Sequence, residues 1–530
     1  MCALAMLLGG CGLASAQQCP ASGCTGANLN ASPAIDSAHL ADSYPGGDTG
    51  EKINNAVAAC VAAGIVCTIQ VNKSGTISTP PVLPAGFSLV FNPTGVYTLD
   101  ANWVLNHRGV SVYFNGAHFT YAKADSGVAI YVGKGISSTV QFGPSSASSA
   151  SCNTSTLSWV AGSQFSTIDP GDTISFSYQG KIYAANVHKV SATSLGLLQS
   201  LNLPCNTTFP MIALMVPGNG LGAYSGASVT LRDLAINDSS RTAKDTALEL
   251  ELVSNVRVDN FSAYDFVSGT CAKLLGALVN NFSALQCDVD GNGLMLGNNV
   301  LGGFTFTGSN ANRFYGIDLN ASPLAPGIAL QDIAGSDNLF SGLHVEGNAN
   351  DKVIDEAGGQ NHYEFLDYER NGTGKGYEIT VGSSYNTLEG PAQMHTYHGL
   401  LAAIVGGVGN VVQNLQFNAQ APGATAVACQ ASCNFEFRNN AVLAGSVLGL
   451  SRSGTADLQS GTVAVITGAA CAPSATCVYR LSNCGTNASS AIGTLAVGSV
   501  MPGASFVINS LTPAAAIAAG DASTVCWQIN

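Results

Sequence analysis

Asn312-Arg-Phe-Tyr-Gly-Ile-Asp-Leu319, Asn338-Leu-Phe-Ser-Gly-Leu-His-Val345, Asn361-His-Tyr-Glu-Phe-Leu-Asp-Tyr368 and Asn386-Thr-Leu-Glu-Gly390 are versions of one short phrase, starting 26, 23 and 25 residues apart. Asn260-Phe-Ser-Ala-Tyr264 and Asn281-Phe-Ser-Ala-Leu285 extend the series backwards, with a step of 21. Short strands with an Asn at a fixed turn position, repeating in the twenties, are the pattern of a β-solenoid. Successive coils then stack at about 4.8 Å. The residues two after each Asn (Phe314, Phe340, Tyr363, Leu388) stack inside, and the Asn amides hydrogen-bond from coil to coil. The leucine spacing of a leucine-rich repeat is absent.

Working outward, Asp48-Thr-Gly-Glu51 opens a helix over 51–63, with Asp48 as cap, Ile53, Val57 and Val61 as its apolar stripe and Gly64 as its end. Strands are expected at Thr68–Val71, Phe87–Phe91, Val110–Phe114 and Ala129–Val132. Residues 152–205 alternate and turn like a small all-β module inserted in the solenoid. Residues 431–530 lose the Asn phrase and read as a separate β-sandwich, with strands at 463–466, 477–480 and 505–508. The expected organisation is therefore a signal peptide at 1–16, a linker at 17–44, the first part of the solenoid at 45–151, the insert at 152–205, the main coils at 206–430 and the C-terminal domain at 431–530.

The chain has 530 residues and a net charge of −13, and only 10% of its residues are charged, against about 25% in an average soluble domain. So few cations exclude a nucleic-acid binder. No apolar run after the N-terminus reaches the roughly 18 residues of a membrane span. Met1–Ala16 reads as an export signal ending in Ala14-Ser-Ala16, and Leu8-Gly-Gly-Cys11 offers lipid anchoring at Cys11 as the alternative. Secretion agrees with fourteen further cysteines, most of them close together. The expected bridges are 19/24, 60/67, 152/205, 271/287, 429/433, 471/477 and 484/526. No Cys-x-x-Cys zinc motif is present, and no metal or cofactor is called for.

Gly47-Asp-Thr-Gly-Glu-Lys-Ile-Asn-Asn-Ala56, a following Cys/Val/Ile strand and the Asn-x-Phe coils together resemble the pectate-lyase-like right-handed parallel β-helix proteins, over about 44–150 and 207–430. The insert and the C-terminal segment are similar to modules of phage tailspikes. The resemblance implies an all-β chain: a right-handed parallel β-helix with a small inserted β module and a C-terminal β-sandwich-like domain. It also implies a polysaccharide or surface glycan as partner, and a homotrimer as the tailspike assembly. The polygalacturonase Asp-Asp and Gly-His-Gly and the pectate lyase Asp-His pair are missing, so no catalytic residue carries over from those subfamilies.

Aligned on Asn, the sixth residues are Asp318, His344 and Asp367, and the eighth are Asn320, Glu346 and Glu369. Alternation turns Leu319, Val345 and Tyr368 inward and both sets outward, as two columns on one sheet. Asp288 is a candidate for the second column. Adjacent carboxylates at strand spacing approach the roughly 5–5.5 Å of retaining glycosidases, and crowding favours keeping one of them protonated. Asp318, Glu346, Asp367 and Glu369 are therefore the candidate acids, with His344 as proton shuttle. Arg313, Asn320 and Arg370 are candidate substrate contacts. Glycosidic hydrolysis is the leading expectation. A non-catalytic glycan-binding or tailspike-like protein is the alternative, and a polysaccharide lyase the second alternative.

Overall fold

The computed structural model describes residues 39–529, apart from 143–151, 160–164, 204–207, 216–227, 322–326, 348–353, 371–378, 397–402, 420–423, 430–433, 439–440, 443–445, 448–452, 467–477, 486–491, 502–504 and a few gaps of one or two residues. The expected export signal and the bridges 19/24, 152/205, 429/433 and 471/477 fall wholly or partly outside the described residues.

Two parallel sheets form the body. One runs through nineteen strands and the other through ten. The chain crosses between them in each coil. Thr246–Glu251 in the second sheet is followed by Arg257–Tyr264 in the first, then Thr270–Leu275 in the second and Asn281–Asp290 in the first. Each strand pairs in parallel with its counterpart one coil away. This is a parallel β-helix, all-β but for the short helical pieces at its start. Among the described residues no helix is long and apolar enough to cross a membrane.

The helix Thr49–Ala62 covers the first coil. Asp48 Oδ1 accepts the Glu51 N–H at 2.8 Å, while Glu51 Oε2 accepts that of Gly47 at 2.6 Å. Ile53, Ala56, Val57 and Cys60 are buried. Gly50 permits the close docking, because a Cβ there would fall 1.8 Å from the Thr79 carbonyl oxygen. Val61, expected in the apolar stripe, is instead 55% exposed. The stripe passes through Cys60, which a disulfide ties to Cys67, just before the strand Thr68–Val71. A second disulfide, Cys271–Cys287, joins the two sheets across the interior.

The Asn residues form a continuous ladder. Asn312, Asn338, Asn361, Asn386 and Asn410 each accept, through Oδ1, the main-chain N–H of the ladder Asn one coil earlier, at 2.7–3.0 Å. All are 0–1% exposed. Spare amide hydrogens reach interior carbonyls, Asn312 to Ala277 and Asn338 to Ser309. The residue before each is left-handed: Val279, Ala311, Asp337, Gln360, Tyr385 and Gly409 have φ of 56–70°. That conformation turns the corner and aims the amide inward. Above the ladder, Phe282, Phe314, Phe340 and Tyr363 stack at 4.8–5.0 Å.

One expectation is corrected here. The first ladder residue is Asn280, because Asn281 pairs with Arg313 and Phe282 with Phe314. Asn260 occupies the left-handed bend in the middle of a first-sheet strand (φ 54°), the place taken later by Ala284 and Gly316. The two Asn-Phe-Ser-Ala strings therefore lie out of register with each other.

The second sheet's inner column runs Val132, Leu250, Leu274, Leu296 and then, unexpectedly, Asp332 and Glu356 before Val381. Both acids are buried. Asn361 donates to Asp332 Oδ2 at 3.0 Å, and Asn386 and Ser383 donate to Glu356 at 3.2 and 2.8 Å. Burial pushes Asp332 up to about 6. Burial, with the charge of Asp332 added, pushes Glu356 up to about 8.

The helix is interrupted after Val128–Gly133 by a closed barrel of Ser137–Phe142, Cys152–Trp159, Thr173–Tyr178, Lys181–Val190, Ser194–Leu203 and Thr208–Leu214, and resumes at Val229–Asp238. Lys134 Nζ bonds Asp169 and Asp172, each at 2.8 Å; Arg108 Nε bonds Asp172 at 2.6 Å, and His107 bonds Asp169 at 2.9 Å. These charges are almost entirely shielded from water, and each finds a partner, as buried charges must. At the other end, coil pairing continues past residue 430: Asn434–Arg438 pairs in parallel with Val408–Gln413. Beyond it, two three-stranded antiparallel sheets share a core of Leu458, Val465, Phe506, Val525 and Trp527, and Cys484–Cys526 links two neighbouring strands of one of these sheets.

Two outcomes follow. Asn338→Ala removes the acceptor of two buried donors and should cost about 3 kcal/mol, whereas Asn281→Ala, at an exposed position, should stay within about 0.5 kcal/mol. Denaturant titrations of both variants check this; equal effects would contradict the register. Secondly, Glu356 holds its proton more tightly folded than unfolded. Its contribution is therefore complete below the ordinary carboxyl range and is lost as pH rises through about 8. Melting temperature should fall between pH 5 and 9, and Glu356→Gln should flatten that fall.

Candidate active face

The outward columns expected from the Asn alignment are present in register. Asp318 pairs with His344 and His344 with Asp367; Asp288 pairs with Asn320, Asn320 with Glu346, and Glu346 with Glu369. Leu319, Val345 and Tyr368, between the columns, are fully buried. The strands bend just before this stretch, where Gly316 and Gly342 are left-handed (φ 63° and 69°). Glycine takes that conformation at no steric cost, so the chain turns there and the outward residues beyond the bend form a separate face.

His344 sits at the centre. Its Nδ1 lies 2.9 Å from Asp318 Oδ1, and its Nε2 lies 3.7 Å from Glu346 Oε1. An ionised carboxylate only accepts, so Nδ1 carries the hydrogen and Asp318 fixes both tautomer and ring orientation. The second contact exceeds hydrogen-bond length, which leaves Nε2 open to a ligand lying over Glu346. All three side chains are partly exposed, at 45%, 32% and 30% for Asp318, His344 and Glu346. The three side chains thus put a carboxylate-held imidazole and a second carboxylate side by side on one outward face.

The other candidates stand differently. Asp367 is next to His344 in register, and its Oδ1 accepts the Tyr368 N–H at 2.9 Å. Glu369 and Arg370 occupy the expected strand positions, but their side chains lie outside the described residues. Arg313 is exposed five positions before Asp318, on the far side of the Gly316 bend, and so is not part of the array.

Before the bend a second polar group appears that the column reading missed. His362 Nε2 lies 3.1 Å from Glu389 Oε2, Asn414 donates to Glu389 at 3.2 Å, and Ser341 bonds Glu364 one rung away. His362 is the first residue after its ladder Asn and Ser341, Glu364 and Glu389 are the third after theirs, a periodicity already available in the alignment.

The C-terminal residues 440–530 match the family model described as K1 capsule-specific polysaccharide lyase, C-terminal domain. No curated protein matches the chain. Among solved structures it is similar to the tailspike gp49 of Pseudomonas phage LKA1 (12% identity, 90% of this chain and 92% of that one, TM-score 0.27). It is also similar to a tailspike of Acinetobacter baumannii bacteriophage AP22 in complex with A. baumannii capsular saccharide (10%, 93% and 96%, 0.26). A third is the DFA-IIIase of Arthrobacter chlorophenolicus A6 without its lid (11%, 78% and 93%, 0.33).

Because the array faces outward, it carries little packing. Asp318→Asn and Glu346→Gln should each leave the unfolding midpoint within about 0.5 kcal/mol of wild type, which chemical denaturation checks. A larger loss would make these acids parts of the scaffold.

Proposed function

We propose that the chain is an extracellular polysaccharide-cleaving protein whose working face is the Asp318–His344–Glu346 array, with Asp367 and Glu369 on the next rung. The observation that carries this reading is the imidazole held by Asp318 with its free nitrogen turned toward Glu346. The match of residues 440–530 to a capsule-lyase C-terminal domain supports a glycan as substrate. Hydrolysis is the reaction proposed. A carboxylic acid from Glu346 or Glu369 protonates the leaving glycosidic oxygen. The opposing carboxylate attacks directly or activates water, and His344 relays protons. The face is rich in acids, which suits a neutral or amino sugar better than a uronate at the cleaved bond.

A second reading is favoured by the same family match: β-elimination, with His344 Nε2 as the base. The two readings separate in one experiment. The chain is incubated with a panel of capsular and exopolysaccharides, and new reducing ends and ultraviolet absorbance of unsaturated ends are followed together. Reducing ends without absorbance support hydrolysis, and both signals together support elimination. On the substrate found, Glu346→Gln and His344→Ala should each lower turnover roughly 100-fold or more, the scale of lost general acid–base catalysis. Wild-type rates in both, or binding without cleavage across the panel, would sink the catalytic reading and leave a glycan-binding protein.

A further inference from the structure

At a different corner of the helix, polar side chains from three successive coils converge where the chain enters the second sheet. Tyr121 donates its hydroxyl to Asn102 Oδ1 at 2.7 Å, and that hydroxyl oxygen lies 3.3 Å from Asp125 Oδ1. The Gly127 N–H is shared by Asp125 Oδ1 and Asp245 Oδ1, each at 3.0 Å. One donor thus pulls together two carboxylates that are 120 positions apart in the chain. Gly127 leaves room for both side chains, since a Cβ would come 2.5 Å from Asp125 Oδ1 and 2.8 Å from Asn102 Nδ2 and would displace them. Asp238 pairs across the strands with Tyr121 and is 2% exposed, its oxygens bonded to Ser240 in its own turn.

Asp245 is fully buried, and its second carboxylate oxygen has no hydrogen-bond partner among the described residues. A buried, unpaired carboxylate oxygen is costly, and nearby acids make it more so. The cation seen at the cluster is Lys123, which holds Asp125 from the solvent side at 2.7 Å with 40% of its side chain exposed. The donors here are hard oxygens, without thiolate or imidazole, and Asp125 lies at the surface. That is the chemistry of calcium, which accepts six to eight oxygens at about 2.3–2.6 Å in irregular arrangements.

We propose that this corner is a calcium site, with Asp245 and Asp125 as charged ligands and the Asn102 amide oxygen as a neutral one. Asp238 adds field rather than a bond: the three carboxylates do not all come within 4.8 Å of one another. The location gives the ion a task. Asp125 precedes the inserted barrel and Asp245 follows it, yet Val128–Gly133 and Thr246–Glu251 must pair as neighbouring strands. An ion held by both sides closes the coil across the insertion and stabilises the folded state by mass action.

The test uses the full chain, stripped with EDTA and dialysed free of it. Adding calcium chloride should raise the melting midpoint by roughly 3 °C or more at saturation, with magnesium much weaker. Terbium should give luminescence sensitised by Tyr121, lost in Tyr121→Phe. Asp245→Asn keeps the Gly127 acceptor, and Asp125→Asn is at the surface; each should weaken calcium binding at least tenfold. If Asp245→Asn does not fold, Asp125→Asn decides. A stripped chain that does not respond to calcium would overturn the site and leave an ordered water bonded to Asp245. A response surviving undiminished in Asp125→Asn would place the ion elsewhere and also overturn it.

Discussion

The asparagine ladder is the interaction on which this structure depends. A coil that turns a corner every few residues leaves main-chain N–H groups pointing into a dry interior, where an unpaired donor costs more than the turn gains. Each ladder amide accepts the N–H of the coil before it and spends its own hydrogens on interior carbonyls of the preceding coil and on the next ladder amide, so the corner is satisfied without water. The left-handed residue before each Asn makes this geometrically possible. Because the bonds run from one Asn to the next, the ladder also sets register. The stacked rings Phe282 to Tyr363 sit two residues on, and the outward columns six and eight residues on.

Register is what turns scattered acids into an array. Asp318 and His344 are 26 positions apart and Glu346 two further on, yet strand spacing brings them into contact. The same rule works inside the helix. Asp332 and Glu356 fall in a column otherwise filled by aliphatic side chains, and the ladder's spare amide hydrogens bind them. An acid on the outer face stays hydrated and available for chemistry, whereas one residue further along the strand it becomes a buried proton holder.

The inserted barrel tests this regularity. Nearly a hundred residues leave the helix and return, and Thr246–Glu251 still pairs with Val128–Gly133 as though nothing stood between them. Two polar clusters flank the join. Lys134 and Arg108 grip Asp169 and Asp172 at the barrel's base, and Asp125 and Asp245 meet over Gly127 on the helix side. Both bring sequence-distant charges together where the chain itself supplies no short connection.

The sequence by itself determined the solenoid, its ladder and its outward columns, because these rest on periods of two within a strand and of about 25 between coils. Both are written directly in residue order. Even there it misled once: Asn260 and Asn281 head matching strings but sit in different turns, since only pairing distinguishes a corner from a bend. The tertiary structure alone decided which acids are buried. Asp332 and Glu356 stand in strands too short to show alternation, and Asp245 is followed by a segment that reads as any other strand. It alone decided that Arg313 falls beyond the Gly316 bend, away from His344. Burial and contact depend on what the neighbouring coil supplies, and coil lengths vary with every turn and insertion, so no period in the sequence records them.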